Sequence, residues 1–327
     1  MKYGVGSGAL WGLDTVILGI GLLMIPFLDN PYAAVAGAGI HDLISALNLL
    51  VYMGVRSRLR DTWAAVKTRS GKAVIGAALL GGPVGMTGYL FAISNIGPGY
   101  TAIISSFYPA LGTLLAYVFL KERMKPRQLI ALLVAIGGIV TIGMTSMTAE
   151  VPGNALLGVG GALLCVVGWG SEAVILSWGM RDDKVDNETA LQIRQLTSTV
   201  VYMAIVIPFF GAFDFAISAI PSKATAVLAL AALAGTASYL FYYKAIASIG
   251  ASRGMALNIS YSGWAVIFGL ILVGTVPGPV EIISCIVILI GTALAATSDW
   301  NELLSWKHAK LGQHQVEANT SVQIPPE

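Results

Sequence analysis

The sequence predicts an all-α membrane protein of ten transmembrane helices built as two inverted five-helix repeats, and three observations lead there. The 327 residues are 56% hydrophobic and 11% charged, with a mean hydropathy of +0.77, whereas water-soluble domains are about one quarter charged. Apolar runs long enough to cross a bilayer, which takes roughly 20 residues, follow one another with short connections. The second half of the chain repeats the first.

Bounded by charges, Gly and Pro, the runs fall near residues 4–27, 32–55, 72–94, 99–120, 127–147, 154–178, 188–210, 223–247, 251–274 and 280–298. The first run carries Trp11 and Asp14 at its middle and lacks a clear small-residue cleavage site, so it reads as a retained span and not as a signal peptide. With the N-terminus inside, one side collects Arg56, Arg58, Arg60, Lys67, Arg69, Lys72, Lys121, Arg123, Lys125, Arg127, Arg181, Lys184, Lys307 and Lys310, while Lys223 stands almost alone on the other. This asymmetry places both termini in the cytoplasm and the chain in the inner (cytoplasmic) membrane. A net charge of +2 carries no message about nucleic acid. Cys165 and Cys285 lie in apolar stretches and read as packing residues. No phosphate loop, nucleophile motif or coupled ATPase segment is present, so turnover powered by a domain of this chain is not expected; neither an enzyme nor a cofactor is expected.

A shift of 153 residues superposes the third to fifth spans on the eighth to tenth without gaps. Ala92-Ile93-Ser94-Asn95-Ile96-Gly97 falls on Ala245-Ile246-Ala247-Ser248-Ile249-Gly250, and Tyr89, Tyr108, Pro126 and Gly138 fall on Tyr242, Tyr261, Pro279 and Gly291. Trp11-Gly12-Leu13-Asp14 of the first span matches Trp169-Gly170-Ser171-Glu172 of the sixth. The expected organisation is a first repeat over 1–148, a second over 149–300 and a polar cytoplasmic tail over 301–327. An odd number of spans per repeat inverts one copy relative to the other, the architecture of alternating-access carriers.

Charge at membrane depth is the most informative feature, because an ionised group at a helix centre costs about 2.5–3.5 kcal/mol even on insertion scales. Asp14, Asp42 and Glu172 fall there. Asp14 and Glu172 each follow a Trp by three residues, so carboxylate and indole share a helix face, and both pairs should converge between the halves. The alternative is internal pairing with Arg194 or a neighbouring helix. Tyr239, Tyr242 and Tyr243 on the eighth span, and Asn258, Tyr261 and Trp264 on the ninth, recur at helical spacing, with Tyr89 and Tyr108 as counterparts in the first half. Singly, each also suits packing or an interfacial belt. Together, aromatic faces attract a quaternary ammonium by roughly 0.5–2 kcal/mol each, and a carboxylate supplies the counter-charge. The candidate substrate site is therefore Trp11, Asp14, Tyr89, Tyr108, Trp169, Glu172, Tyr239, Tyr242, Tyr243, Asn258, Tyr261 and Trp264, with a small organic cation as ligand.

His41 and Asp42 are adjacent on the second span, point about 100° apart and need not touch. With Arg194 they are candidates for proton coupling or gating, against a bland reading of His41 as a satisfied core group. Gly81-Gly82-Pro83 should bend or unwind the third span beside the transport path or a packed neighbour. Lys244 and Arg253 read as interfacial anchors. The acidic loop of Asp182, Asp183, Asp186 and Glu188 reads as solvated, and His308 and His314 lack metal-ligand company.

Several strings resemble the EamA branch of the drug/metabolite transporter superfamily, and within it the LicB-type choline importers. They are Ile40-His41-Asp42, Gly82-Pro83-Val84-Gly85-Met86, Ile104-Ser105-Ser106-Phe107-Tyr108-Pro109-Ala110, Gly168-Trp169-Gly170-Ser171-Glu172, Ile193-Arg194-Gln195-Leu196-Thr197-Ser198 and Leu257-Asn258-Ile259-Ser260-Tyr261. The resemblance covers nearly the whole chain except the tail. It implies choline uptake across the cytoplasmic membrane, with Trp169, Glu172 and the tyrosines of the eighth and ninth spans at the ligand. Asp14 departs from the family pattern, which has a non-acidic residue there, and a second carboxylate would suit an accompanying proton or a dication.

The expected activity is secondary import of a choline-like cation by alternating access, driven by the membrane potential or a proton, by a monomer or homodimer. The rival within the family is an exporter of amino acids or other metabolites, which would need Arg194 or Lys244 facing the cavity. A membrane enzyme would need a catalytic dyad near an interface, and a binding-only sensor would show affinity without flux.

Overall fold

A computed structural model describes residues 1–145, 153–181, 184–297 and 300. Asp182 and Asp183 of the acidic loop, and the tail 301–327 with Lys307, Lys310, His308 and His314, lie outside the described residues. Ten helices are long and apolar enough to cross a membrane: α1 Lys2–Leu22, α2 Ala33–Val55, α3 Arg69–Ile93, α4 Tyr100–Leu120, α5 Pro126–Thr145, α6 Ala155–Gly179, α7 Asn187–Phe209, α8 Lys223–Ile249, α9 Ala251–Val273 and α10 Pro279–Ala296. The described residues contain no strand.

Local sequence sets where these helices begin. Thr68, Asn154, Asp186 and Ser222 accept from backbone N–H groups in the first turns of α3, α6, α7 and α8, satisfying donors that a helix start leaves without partners. The repeat-related Pro126 and Pro279 open α5 and α10, where a fixed φ and a missing N–H cost nothing. α1 ends at Leu22, short of the expected Phe27. Phe27 turns inward instead, edge-on to Phe215 with ring centroids 5.5 Å apart.

The packing follows the repeat. α1 lies along α8 and meets α9, while α6 lies along α3 and meets α4; α5 pairs with α10, and α2 with α7. Exchanging the halves maps each contact onto another, as a pseudo-twofold axis requires. α4 is interrupted at Ser106–Phe107 and α9 at Ile259–Ser260, the same two places of the repeat. Each break is followed by a tyrosine, Tyr108 or Tyr261. The glycines of the two Trp-Gly pairs pack on these breaks: a Cβ added to Gly170 would stand 3.0 Å from the Tyr108 carbonyl, and one added to Gly12 would stand 2.9 Å from that of Tyr261. Glycine there lets the backbones close up.

The halves differ at Pro83. Leu80–Met86 of α3 is a π-helical stretch around this proline, whereas its repeat mate in α8 carries Thr236 and stays regular. A proline removes one i→i−4 bond and displaces the preceding turn.

Where α2 and α7 meet at the arginine-rich end, Arg58 donates to Glu188 Oε2 at 2.5 Å, to Asp61 Oδ2 at 2.8 Å and to Asp186, and Arg56 donates to Glu188 Oε1 at 2.5 Å. Asp186 is held below the usual carboxylate range: partial burial pushes it up, but the Thr189 backbone N–H at 2.8 Å and the Arg58 guanidinium outweigh burial. A carboxyl lowered on folding stabilises the fold above its ordinary value of 3.8 and loses that contribution as pH falls through the folded value. Asp186→Asn keeps the helix cap and removes the charge. It should therefore melt earlier than the parent at neutral pH, by less than about 1 kcal/mol for so exposed a pair, and the difference should close in acid. Melting curves at several pH values check this.

Candidate functional site

A cavity lies between the halves. Trp11 of α1, Tyr108 of α4, and Trp169 and Glu172 of α6 form one part of its wall. Ser238, Tyr239 and Tyr242 of α8, with Asn258 and Tyr261 of α9, form the rest. The wall is thus six aromatic rings, two small polar groups and, among the described residues, a single carboxylate.

Fixed contacts hold these groups. Trp11 packs edge-on to Tyr239 with centroids 4.9 Å apart, and Trp169 packs edge-on to Tyr108 at 5.7 Å. The Trp169 indole N–H donates to the Gly81 carbonyl inside the π-helical stretch at 3.1 Å. Tyr108 donates its hydroxyl to Asn258 Oδ1 at 3.0 Å, Asn258 Nδ2 donates to Ser7 Oγ at 2.8 Å, and Ser238 donates to the Ser7 carbonyl at 2.8 Å. The Asn258 amide and the Ser238 hydroxyl are thus oriented before any ligand arrives.

Behind the wall runs a buried chain of charge. Asp14 Oδ1 is 3.0 Å from His41 Nε2, and His41 Nδ1 is 3.6 Å from Asp42 Oδ1. Asp42 Oδ2 accepts from Ser198 at 2.5 Å and lies 3.7 Å from the Arg194 guanidinium. Arg194 donates from Nε to Glu172 Oε1 at 3.2 Å, to the Tyr239 hydroxyl at 3.1 Å, and to Gln195. Three carboxylates thus face one guanidinium and one imidazole, leaving two negative charges in excess with neutral His41 and one when it is protonated. Such an excess in a low-dielectric interior draws a cation or a proton.

The structure brings most of the expected site residues together and separates others. Trp11, Tyr108, Trp169, Glu172, Tyr239, Tyr242, Asn258 and Tyr261 line the cavity. Asp14 does not: although it shares a helix face with Trp11, it is 2% exposed and turned to His41. Tyr89 stands behind Trp169 with ring centroids 5.3 Å apart. Tyr243 is fully buried beside Tyr239 and Tyr242, and Trp264 stacks on Phe268. His41 and Asp42, expected not to need each other, do approach, with His41 turned to Asp14 of α1 and Asp42 to Ser198 and Arg194 of α7. The pairing of Glu172 with Arg194, weighed above as the alternative, is present. Lys244 lies over the Tyr3 ring at 4.5 Å, away from the cavity.

Sequence reasoning passed over Ser7, Ser198 and Ser238. Ser238 precedes Tyr242 by one helical turn, a spacing that puts it on the tyrosine's face. Gly81 was read only as part of a kink, but a Cβ there would collide with the Glu172 carboxylate. Gly81→Ala should therefore push Glu172 off its position and weaken cation binding at least about tenfold, an overpacking effect of about 1–3 kcal/mol. Gly76→Ala, with open space at its Cβ, should leave binding unchanged. Ligand titrations of the two variants check it.

A solved crystal structure shares the fold, with a TM-score of 0.64 over 90% of this chain and 95% of that one, at 18% identity. Protein LicB of Haemophilus influenzae is 30% identical over 199 residues. That match takes in 60% of this chain and 65% of LicB, so it spans just under two thirds of the relative's length. The model of the EamA-like transporter family matches twice, over residues 2–144 and 156–297, and both matched segments contribute residues to the cavity wall. With both repeats matched, this multi-pass membrane protein belongs to the EamA-like transporter family.

Proposed function

We propose that the chain imports a small organic cation, with choline as the first candidate, by alternating access of its two five-helix halves around the central cavity. The observation that carries this reading is the wall itself: six aromatic rings and one carboxylate, with an amide and a hydroxyl among them. A trimethylammonium group gains from ring faces and a counter-charge and needs no hydrogen-bond partner. The amide and hydroxyl suit a small polar terminus such as an alcohol. The excess negative charge of Glu172 and the buried chain taken together favours a cation over an anion. The resemblance to LicB-type importers points the same way. In the exporter reading, a zwitterion would need a free cationic side chain on the wall, and Arg194 and Lys244 are engaged elsewhere.

In this reading the chain sits in the cytoplasmic membrane with both termini inside, because Arg56, Arg58, Lys67, Arg69, Lys121 and Arg181 gather on one side. An inside-negative potential contributes about 2.3 kcal/mol per charge per 100 mV, which alone accumulates a monovalent cation roughly 40-fold. His41, Asp42 and Asp14 are the groups on which an accompanying proton would ride. The test is uptake of radiolabelled choline into proteoliposomes with and without an imposed potential, and with and without a pH gradient. Accumulation that follows either gradient supports the reading. Absence of choline uptake, with betaine or amino acids carried instead, overturns it.

A further inference from the structure

A second hollow lies outside the central cavity, an apolar groove between α4 and α6. Leu115, Phe119 and Leu120 line it from α4, and Val174, Ile175 and Trp178 from α6. Its walls belong to two spanning helices, and Phe119 is 70% exposed on the protein surface. In a bilayer such a surface meets hydrocarbon, not water.

One end of the groove is cationic. The Arg69 guanidinium lies over the Trp178 ring, 5.5 Å from its centroid, and Arg181 donates to the Leu120 carbonyl at 3.2 Å. Both arginines therefore stand beside the last groove residues of α4 and α6, at the end that the charge asymmetry turns to the cytoplasm. Both are exposed, as is Lys72 one turn along α3 from Arg69. Among the described residues, neither arginine pairs with a carboxylate.

We infer that this groove binds one anionic phospholipid, its acyl chain along α4 and α6 and its headgroup phosphate between Arg69 and Arg181. Guanidinium forks match phosphate oxygens in charge-assisted hydrogen bonds, and basic side chains at the cytoplasmic surface attract anionic lipid. A zwitterionic lipid fills the groove equally well with its chain, but its headgroup ammonium opposes the two guanidiniums. Selectivity thus comes from the arginines and occupancy from the groove. The inference does not depend on what the central cavity carries.

The test is titration of the purified full-length protein in detergent with phosphatidylglycerol, phosphatidylcholine of the same chains, or inorganic phosphate. Retained lipid is counted by native mass spectrometry and stability read by thermal melting. Phosphatidylglycerol should be retained as a single copy at concentrations at least about tenfold below phosphatidylcholine, and phosphate alone should do nothing. Arg69→Gln combined with Arg181→Gln should weaken phosphatidylglycerol binding roughly 30-fold. The double Lys variant at the same positions should keep the preference, and so should Arg60→Gln, an exposed cation elsewhere. Equal retention of the two lipids by the parent protein, a preference that survives the double Gln variant, or stabilisation by phosphate alone would each overturn the inference.

Discussion

Glu172→Gln should abolish choline binding while leaving the protein folded, with affinity falling at least about 30-fold. The substitution keeps the shape of the side chain and an oxygen for Arg194 Nε, now 3.2 Å away, but removes the only carboxylate on the cavity wall among the described residues. An incoming ammonium then meets the rings alone, with the Arg194 guanidinium, still 3.7 Å from Asp42, close behind them. Quenching of Trp11 and Trp169 fluorescence during a choline titration, beside a melting curve of the same sample, separates lost binding from lost folding. If the variant bound choline like the parent, Glu172 would serve Arg194 alone and the proposed cargo would lose its counter-charge.

Arg194→Gln should act mainly on stability. It strips the guanidinium from between Glu172 and Asp42 and leaves two buried carboxylates facing each other's field. Breaking a buried pair in this way costs about 3–5 kcal/mol. Glu172→Gln placed on top of it should recover part of the loss, since the residual charge goes with it, and a double-mutant cycle of melting free energies measures the coupling. Choline affinity should be kept or raised in Arg194→Gln, the opposite of its collapse in Glu172→Gln. A variant that melts like the parent would mean that the buried arrangement draws no stability from this pair.

Much of the architecture was legible because membrane helices must satisfy their own backbone groups. Length and apolarity alone therefore mark the spans, and self-similarity marks the inversion. Helix ends were less so: α1 stops at Leu22, four residues before Pro26, which has no N–H to give the Leu22 carbonyl, and Phe27 then packs inside against Phe215, a contact between residues far apart in sequence. The aromatic wall was legible as residue types at helical spacing, but spacing does not say which face of α9 or α3 turns inward. Trp264 and Tyr89 have the same credentials as Tyr261 and Tyr108 and yet sit behind or beside the wall.

Asp14 and Glu172 show the division most clearly. Their matching places after Trp-Gly put each on the face of its indole, and the sequence by itself established that both acids lie at membrane depth in symmetry-related helices. Only the tertiary structure decided their partners. α2 brings His41 to Asp14, and α7 brings Arg194 to Glu172. His41 and Arg194 do not repeat each other chemically although the repeat aligns their helices. A buried carboxylate takes whatever cation or proton donor the neighbouring helix presents, because leaving it unpaired costs several kcal/mol. That neighbour is fixed by packing across the pseudo-twofold, not by anything near the acid in the chain.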